Sequence, residues 1–509
     1  MATIQSLVDL AILNGVVWRP GAPPATAVAV SDGRIAAVGS DADVRALIGN
    51  LARVLDARGG TILPAFNDAH VHFLMGSRGL SYLDLFGVET QPEIEQRIRD
   101  FAAANAGRWL MGRGWFYSAF PGGMPTLELL DRLIPDRPAY MESFDTHCAW
   151  VNSRALEAAG ISPHDSDGVL KERAMEDFER HLPIPTAAQD MEALRAGMRI
   201  AAANGVASVQ EASRGLEQLP LYQTLHERDE LTMRVRLAFD MTPGLSAHDW
   251  EMRLDTYEDA RRQAAAGGAV ATGILKAFAD GVVESKTAAL SEPYADMSAS
   301  EPGAYGAPLW EPGELALVIR AADRRGWQVE VHAIGDAAIR DALDAYAGLD
   351  PARRHRVEHI EAPAADDIPR FGRLGVIASM QPQHAAPNLI EVWRRHLGPA
   401  RAARGWPWKE ILDSGGRLAF GTDWPVVYLD PFASLAEATK ALSVIDAVAA
   451  WTSGAAYAEH AEDSKGRLHE GMLADIAVLD RDLARTPPGE IASTKVEATV
   501  VGGRLVYES

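Results

Sequence analysis

The chain has 509 residues, 47% of them hydrophobic and 23% charged, enough material for a large buried core and more than one structural unit. Its 49 basic against 70 acidic residues leave a net charge of -21, which argues against nucleic acid or an anionic membrane surface as a partner. The single cysteine, Cys148, excludes an internal disulfide and every multi-cysteine metal cluster, so any metal must be held by histidine, carboxylate or modified lysine.

The N-terminal stretch MATIQSLVDLAILNG lacks the basic start and small-residue cleavage site of a secretory signal, and there is no apolar run of membrane-spanning length. The expectation is a soluble, cytoplasmic protein. Residues 1–62 read as short strands, with Asn14-Gly15 and Asp32-Gly33 as hairpin-type dipeptides. The closing stretches MLADIAVLDRDL and KVEATVVGGRLVYES have the same character, with Gly502-Gly503 at a turn. Residues 1–62 and 465–509 are therefore expected to build one small β-sandwich from both termini.

From 63 to 464 the pattern changes to strands alternating with amphipathic, alanine-rich helices, the mark of a parallel α/β arrangement. The strands read as TILPAFNDAHVH, VASVQEA, MRVRLAFDM, GILKAFADG, QVEVHAIGD, HRVEHIE, GVIASMQP and RLAFGTDW. Eight such units predict a (β/α)8 (TIM) barrel, with its active site at the C-terminal strand ends. Residues from about 79 to 190 far exceed the usual connection of about 2–6 residues, so an inserted subdomain is expected after the first strand.

Along the first strand the period-2 alternation puts Asp68, His70 and His72 on one face, with both imidazoles directed at a common space. Alone, this pair fits a polar core as readily as a metal site. The other strands decide between the two. Lys276 lies within the fourth, where a buried ammonium needs a partner or a modification. His332 ends the fifth strand, His359 the sixth and Asp423 the eighth, each at the catalytic end of a barrel. Convergence of all these positions on one mouth points to metal chemistry.

At this point the sequence resembles the amidohydrolase superfamily, within it the branch of YtcJ-like proteins that includes N-substituted formamide deformylases. The likeness spans nearly the whole chain and rests on LPAFNDAHVH, SFDTHCAWVNSRAL, LKAFADG, VHAIGD, RVEHIE, SMQPQH, FGTDWP and KGRLHEGMLADIAVLD. It implies two divalent metal ions, Zn2+ or alternatively Mn2+. His70 and His72 would bind the more buried ion, a carboxylated Lys276 would bridge, and His332 and His359 would bind the second. Asp423 would touch the buried ion, take the proton of a metal-activated water and pass it to the leaving group. The implied reaction is hydrolysis of a C–N bond in an amide, N-formyl, carbamate or similar small molecule.

Further candidates carry two readings each. His147 either meets the substrate or packs the insertion against the barrel, and Trp115, Phe116 and Tyr117 either wall a pocket or fill the subdomain core. Gln381 and His384 either face the ligand or shape their loop, while Asp280, Gly281 and Glu211 could support the site from behind. Cys148 reads as a buried small hydrophobe. Ester or lactone hydrolysis on the same site is an alternative. Single-metal deamination of an aromatic ring is another, disfavoured by the presence of Lys276 and by AIGDAA after His332. A scaffold without chemistry would have lost a ligand position, whereas all six are filled. Base rates favour a homodimer.

Overall fold

The computed structural model describes residues 8–264 and 268–509. Residues 1–7, part of the stretch read as lacking a secretory signal, lie outside the described residues. At the centre is an eight-stranded, all-parallel sheet. Its strands, in chain order, are Phe66–Val71, Val206–Glu211, Arg234–Asp240, Val270–Phe278, Gln328–Ala333, Arg356–His359, Ile377–Met380 and Arg417–Phe420. These are called barrel strands one to eight below. The sheet curls until strand eight meets strand one: Asp423 N donates to His70 O at 2.8 Å, and His72 N to Trp424 O at 2.9 Å. Gly421 permits this approach, because a Cβ there would lie 2.5 Å from the His70 nitrogen. The outward faces of the strands are apolar and pack on helices such as Ala187–Ala203, Glu314–Arg324 and Asp336–Tyr346, giving the barrel–helix core its continuity.

The stretch TILPAFNDAHVH, which reads as one strand, is two. Thr61–Pro64 pairs with Ile476–Leu479, and only Phe66–Val71 enters the barrel. At the break Ala65 N donates to Asp475 O and Phe66 N to Gly205 O, so the chain changes sheets within one residue. Hydrophobic runs identify strands but carry no information about such a change of partner. Strands from both chain ends share one five-stranded sheet, which faces a four-stranded N-terminal sheet across Ile12, Val28, Ile62, Ile476 and Val500.

Between the helix Phe73–Gly79 and the helix Ala187–Ala203 the chain builds a separate five-stranded sheet. Its own apolar cluster, with Trp115, Tyr117, Met141 and Trp150, also takes in Leu389, Val392, Val426 and Val427 from loops at the barrel mouth. The insertion is thereby seated over the C-terminal ends of the strands. Among the described residues no helix is long and apolar enough to cross a membrane.

Candidate metal centre at the barrel mouth

The alternation of strand one brings the Nε2 atoms of His70 and His72 to 3.5 Å and 3.3 Å from the same Asp423 oxygen, Oδ1. Strand eight hands over to its loop through Asp423, whose φ of 61° is left-handed. His359 and Ile360, at φ 73° and 54°, turn the end of strand six in the same way. Left-handed backbone at non-glycine residues is costly and persists where surrounding structure enforces it. Asp68 enforces it at strand eight, accepting from Thr422 N at 3.0 Å and from the Thr422 hydroxyl at 2.5 Å. His70, His359 and Asp423 form a buried group whose ligand atoms lie within 4.8 Å of one another.

Each of the four strand-end imidazoles has one nitrogen engaged from outside. His70 Nδ1 meets Glu358 Oε2 at 2.6 Å and His72 Nδ1 meets Ser213 Oγ at 2.9 Å. His332 Nε2 meets the Gly281 carbonyl at 3.2 Å and His359 Nδ1 meets Gln381 Oε1 at 2.8 Å. The carboxylate, the backbone carbonyl and the amide oxygen can only accept, so those ring nitrogens carry the protons and the opposite ones keep their lone pairs. This is how protein partners set the tautomer of a metal-binding histidine. Burial holds all four imidazoles well below their ordinary pKa, in the neutral form that binds a cation.

Lys276 is 1% exposed, with Nζ 3.4 Å from His70 Nε2 and 4.4 Å from the Phe278 ring centre. Burial lowers its pKa, against the opposing pull of Glu330, Glu358 and Asp423. Burial raises Asp423 to about 6, although His384, Lys276 and His147 act in the other direction, and its Oδ1 has no hydrogen-bond partner. A neutral imidazole set around an unpartnered carboxylate oxygen fits a divalent cation by donor chemistry.

Of the remaining candidates, His147, His384 and Gln381 lie against this group, whereas Trp115 and Tyr117 belong to the apolar cluster of the insertion. The His147 ring lies 5.4 Å from that of His332, tilted by 42°, and its Nδ1 lies 2.9 Å from Glu172 Oε2. Burial alone would lower its pKa, but Glu172, Asp145 and Asp423 together raise it to about 9. His384 lies with Nδ1 3.3 Å from Glu361 and Nε2 3.9 Å from Asp423 Oδ2. Tyr117 donates to Asp145 at 2.8 Å and lines a cavity of about 460 Å³ with Phe120, Lys171, Glu284, Lys286 and Arg395. Trp115 is fully buried in the insertion, its indole N–H on the Met141 carbonyl, and Cys148 is buried beside it. Gln381 is turned to His359. Asp280 accepts from the backbone of Ala289, Ile334 and Gly335, and Glu211 from Phe73 and Leu74, so both brace the segments that follow His332 and His72. Sequence reasoning did not single out Ser213, Glu358, Glu361 or Glu172. For Glu358 a signal existed, a charged residue at an inward position of a barrel strand.

A barrel with buried, neutral histidines gathered at its C-terminal mouth is an architecture suited to binding a metal ion. The profile of the amidohydrolase family matches residues 53–507, and the chain belongs to that family. It is similar to the YtcJ protein of Bacillus subtilis (strain 168), 27% identical over 95% of this chain and 96% of that one. It is also similar to N-substituted formamide deformylase of Arthrobacter pascens, 25% identical over 98% of each chain. Among solved structures, an uncharacterized metal-dependent hydrolase from Pyrococcus furiosus is 28% identical, with a TM-score of 0.73 over 94% of this chain and 100% of that one.

Proposed function

We propose that this hydrolase cleaves a C–N bond in an amide, N-formyl, carbamate or related small molecule, with Asp423 as its acid–base group. The observation that carries the reading is the set of four neutral imidazoles, each tied on one nitrogen, at one mouth with Asp423, whose unpartnered Oδ1 lies 3.5 and 3.3 Å from Nε2 of His70 and His72. His70, His72 and Asp423 would hold one divalent cation, and His332 and His359 a second, with a carboxylated Lys276 between them. A histidine-rich set suits Zn2+ first and Mn2+ next. When bound, such cations polarise a carbonyl oxygen and acidify a water.

The chain's own residues supply the rest. Burial depresses the Lys276 ammonium, favouring the neutral amine that condenses with CO2, releasing a proton and turning a poor cation ligand into two oxygen donors. Asp423, raised to about 6, takes a proton from the attacking water and delivers it to the departing nitrogen, which leaves as an amine. His147, raised to about 9, stays cationic and can stabilise the carbonyl oxygen as it gains negative charge. Tyr117 and His384 would line the substrate's path, with Gln381 acting through His359 and Trp115 backing the wall. The likeness to a deformylase of N-substituted formamides is in keeping with C–N chemistry.

The test is metal quantification of the purified protein, followed by a panel of N-formyl, N-acyl, carbamate and ester substrates, for wild type and His70→Ala. Turnover of an amide-type substrate that disappears in the variant is expected. Activity on esters alone would overturn the C–N assignment, and protein purified without metal would overturn the metal reading.

A further inference from the structure

Barrel interiors are ordinarily filled by layers of branched apolar side chains. Directly beneath His70 this barrel instead holds a guanidinium. Arg356 is fully buried and its donors reach four other strands or their side chains. Nη1 donates to Gln210 Oε1 at 2.5 Å on strand two. Nη2 donates to the Ala69 carbonyl at 2.6 Å on strand one and to Ser379 Oγ at 3.0 Å on strand seven. The same nitrogen lies 3.4 Å from Glu330 on strand five. The guanidinium also meets Glu358, with Nε 2.9 Å from Oε1 and the shared Nη2 3.2 Å from Oε2. Glu358 is itself fully buried, and its Oε2 makes the 2.6 Å contact to His70 Nδ1.

Two features separate this arrangement from a stabilising ion cluster. Buried ion networks are rarely more stable than the apolar packing that could replace them, so retention by stability alone is a weak explanation. The network also has a direction. The guanidinium grips both oxygens of Glu358, which fixes the plane of the carboxylate, and the carboxylate in turn presents one acceptor to one ring nitrogen. The Ala69 carbonyl held by the same Nη2 belongs to the residue preceding His70, so backbone and ring of the histidine are located from a single group.

We infer that Glu358, held by Arg356, is a positioning residue for the cation site: it keeps the proton of His70 on Nδ1 and aims Nε2 toward Asp423. The inference rests on the metal-site reading of the preceding subsection and goes beyond it by naming what sets the ligand's orientation. Replacing Glu358 by glutamine keeps size and an acceptor but removes the charge that Arg356 and the His70 N–H both use. Outer partners of metal-bound histidines are typically worth about 10–100-fold in metal affinity.

The experiment is Zn2+ affinity by chelator competition on the folded, metal-stripped full chain, with Co2+ absorption as a report on coordination geometry. Glu358→Gln is expected to bind Zn2+ about 10–100-fold more weakly and to alter the Co2+ spectrum. In a His70→Ala background the same substitution should have no further effect on affinity. Should Glu358→Gln fail to fold, Arg356→Lys, which keeps the charge and loses the fork, takes its place and should weaken binding in the same direction. A folded variant with wild-type affinity and spectrum overturns the inference while leaving the hydrolase reading intact. So does an equal loss of affinity in the presence and absence of His70. A wild-type chain that takes up no cation overturns both.

Discussion

The two ends of the barrel are built from the same strands and hold their buried polar groups differently. At the floor, Lys465 donates to Ser208 Oγ at 2.7 Å and pairs with Glu459 at 2.7 Å, while Asn67 donates to Glu459 at 2.5 Å. Gln210 and Gln328 donate to the carbonyls of Ala455 and Ala458 from the segment that closes this end. Each of these side chains has at least one protein partner, although Gln328 Oε1 is left without one. At the mouth, Asp423 Oδ1, His384 Nε2 and Gln381 Nε2 have none. A buried polar atom without a partner carries a desolvation cost of about 1–3 kcal/mol, and at the mouth a bound ligand can repay that cost.

That contrast breaks down if the mouth turns out to be dispensable. Asp423→Asn keeps the shape of the side chain and removes its proton affinity. The turnover number should fall by about 10²–10⁴-fold, the range of a general acid–base group, in steady-state assays on the substrate the panel identifies. The urea midpoint should stay near wild type. The mirror experiment is Lys465→Met at the floor. Leaving Glu459 without its ammonium should cost about 3–5 kcal/mol of stability in denaturant titration, with kcat of the folded enzyme unchanged. A Lys465→Met variant that loses turnover while keeping its stability would erase the distinction between the two ends.

The pH dependence of stability separates the two ends further. Glu211, at the mouth, is 1% exposed, and burial raises its pKa to about 8 in spite of the N–H donors of Phe73 and Leu74. In the unfolded chain a glutamate titrates near about 4.3. Between those values the folded chain retains a proton that the unfolded chain has released, so this group's contribution makes the fold less stable as pH rises through the window. Glu211→Gln, permanently neutral, should flatten the fall in stability between about pH 5 and pH 8, read from urea midpoints across that range. A slope unchanged by the substitution would show that the two backbone donors keep the carboxylate ionised.

The sequence makes the mouth more legible than the floor, for physical reasons. Period-2 alternation and position at a strand end bring His70, His72, His332, His359 and Asp423 forward together, and all five lie at the C-terminal end of the barrel in the structure. The (β/α)8 barrel was likewise readable from eight strand–helix units. What partners these residues was not. Gln381 and Ser213 are separated from the histidines they hold by 22 and 141 positions, and no local pattern encodes such a meeting. Nor does alternation explain His359. Arg356 and Glu358 share the inward face of strand six, which would turn His359 outward, and only the left-handed backbone at 359 and 360 redirects its ring to the mouth. The floor partners Glu459 and Lys465 sit in a stretch without strand periodicity, reaching strands one and two from the far end of the chain.

The smallest effect expected is also the most specific to the floor. Tyr457 lies between two guanidinium groups, with Arg354 3.7 Å and Arg417 4.3 Å from its ring centre. Arg354 is anchored independently by Glu462 and by the Tyr457 carbonyl, so it should stay in place when the ring is removed. Tyr457→Leu therefore deletes the π face while keeping an apolar side chain against both cations. At partly exposed sites such a contact is worth about 0.5–1 kcal/mol, and two on one ring should cost about 1–2 kcal/mol in thermal or urea unfolding. Zn2+ affinity and kcat should be untouched, because the ring is tied to strand eight and to the loop before strand six at the end remote from the histidines. A change in either would mean that the floor transmits its packing to the ligands, and that the division between a saturated end and an open end is one of degree.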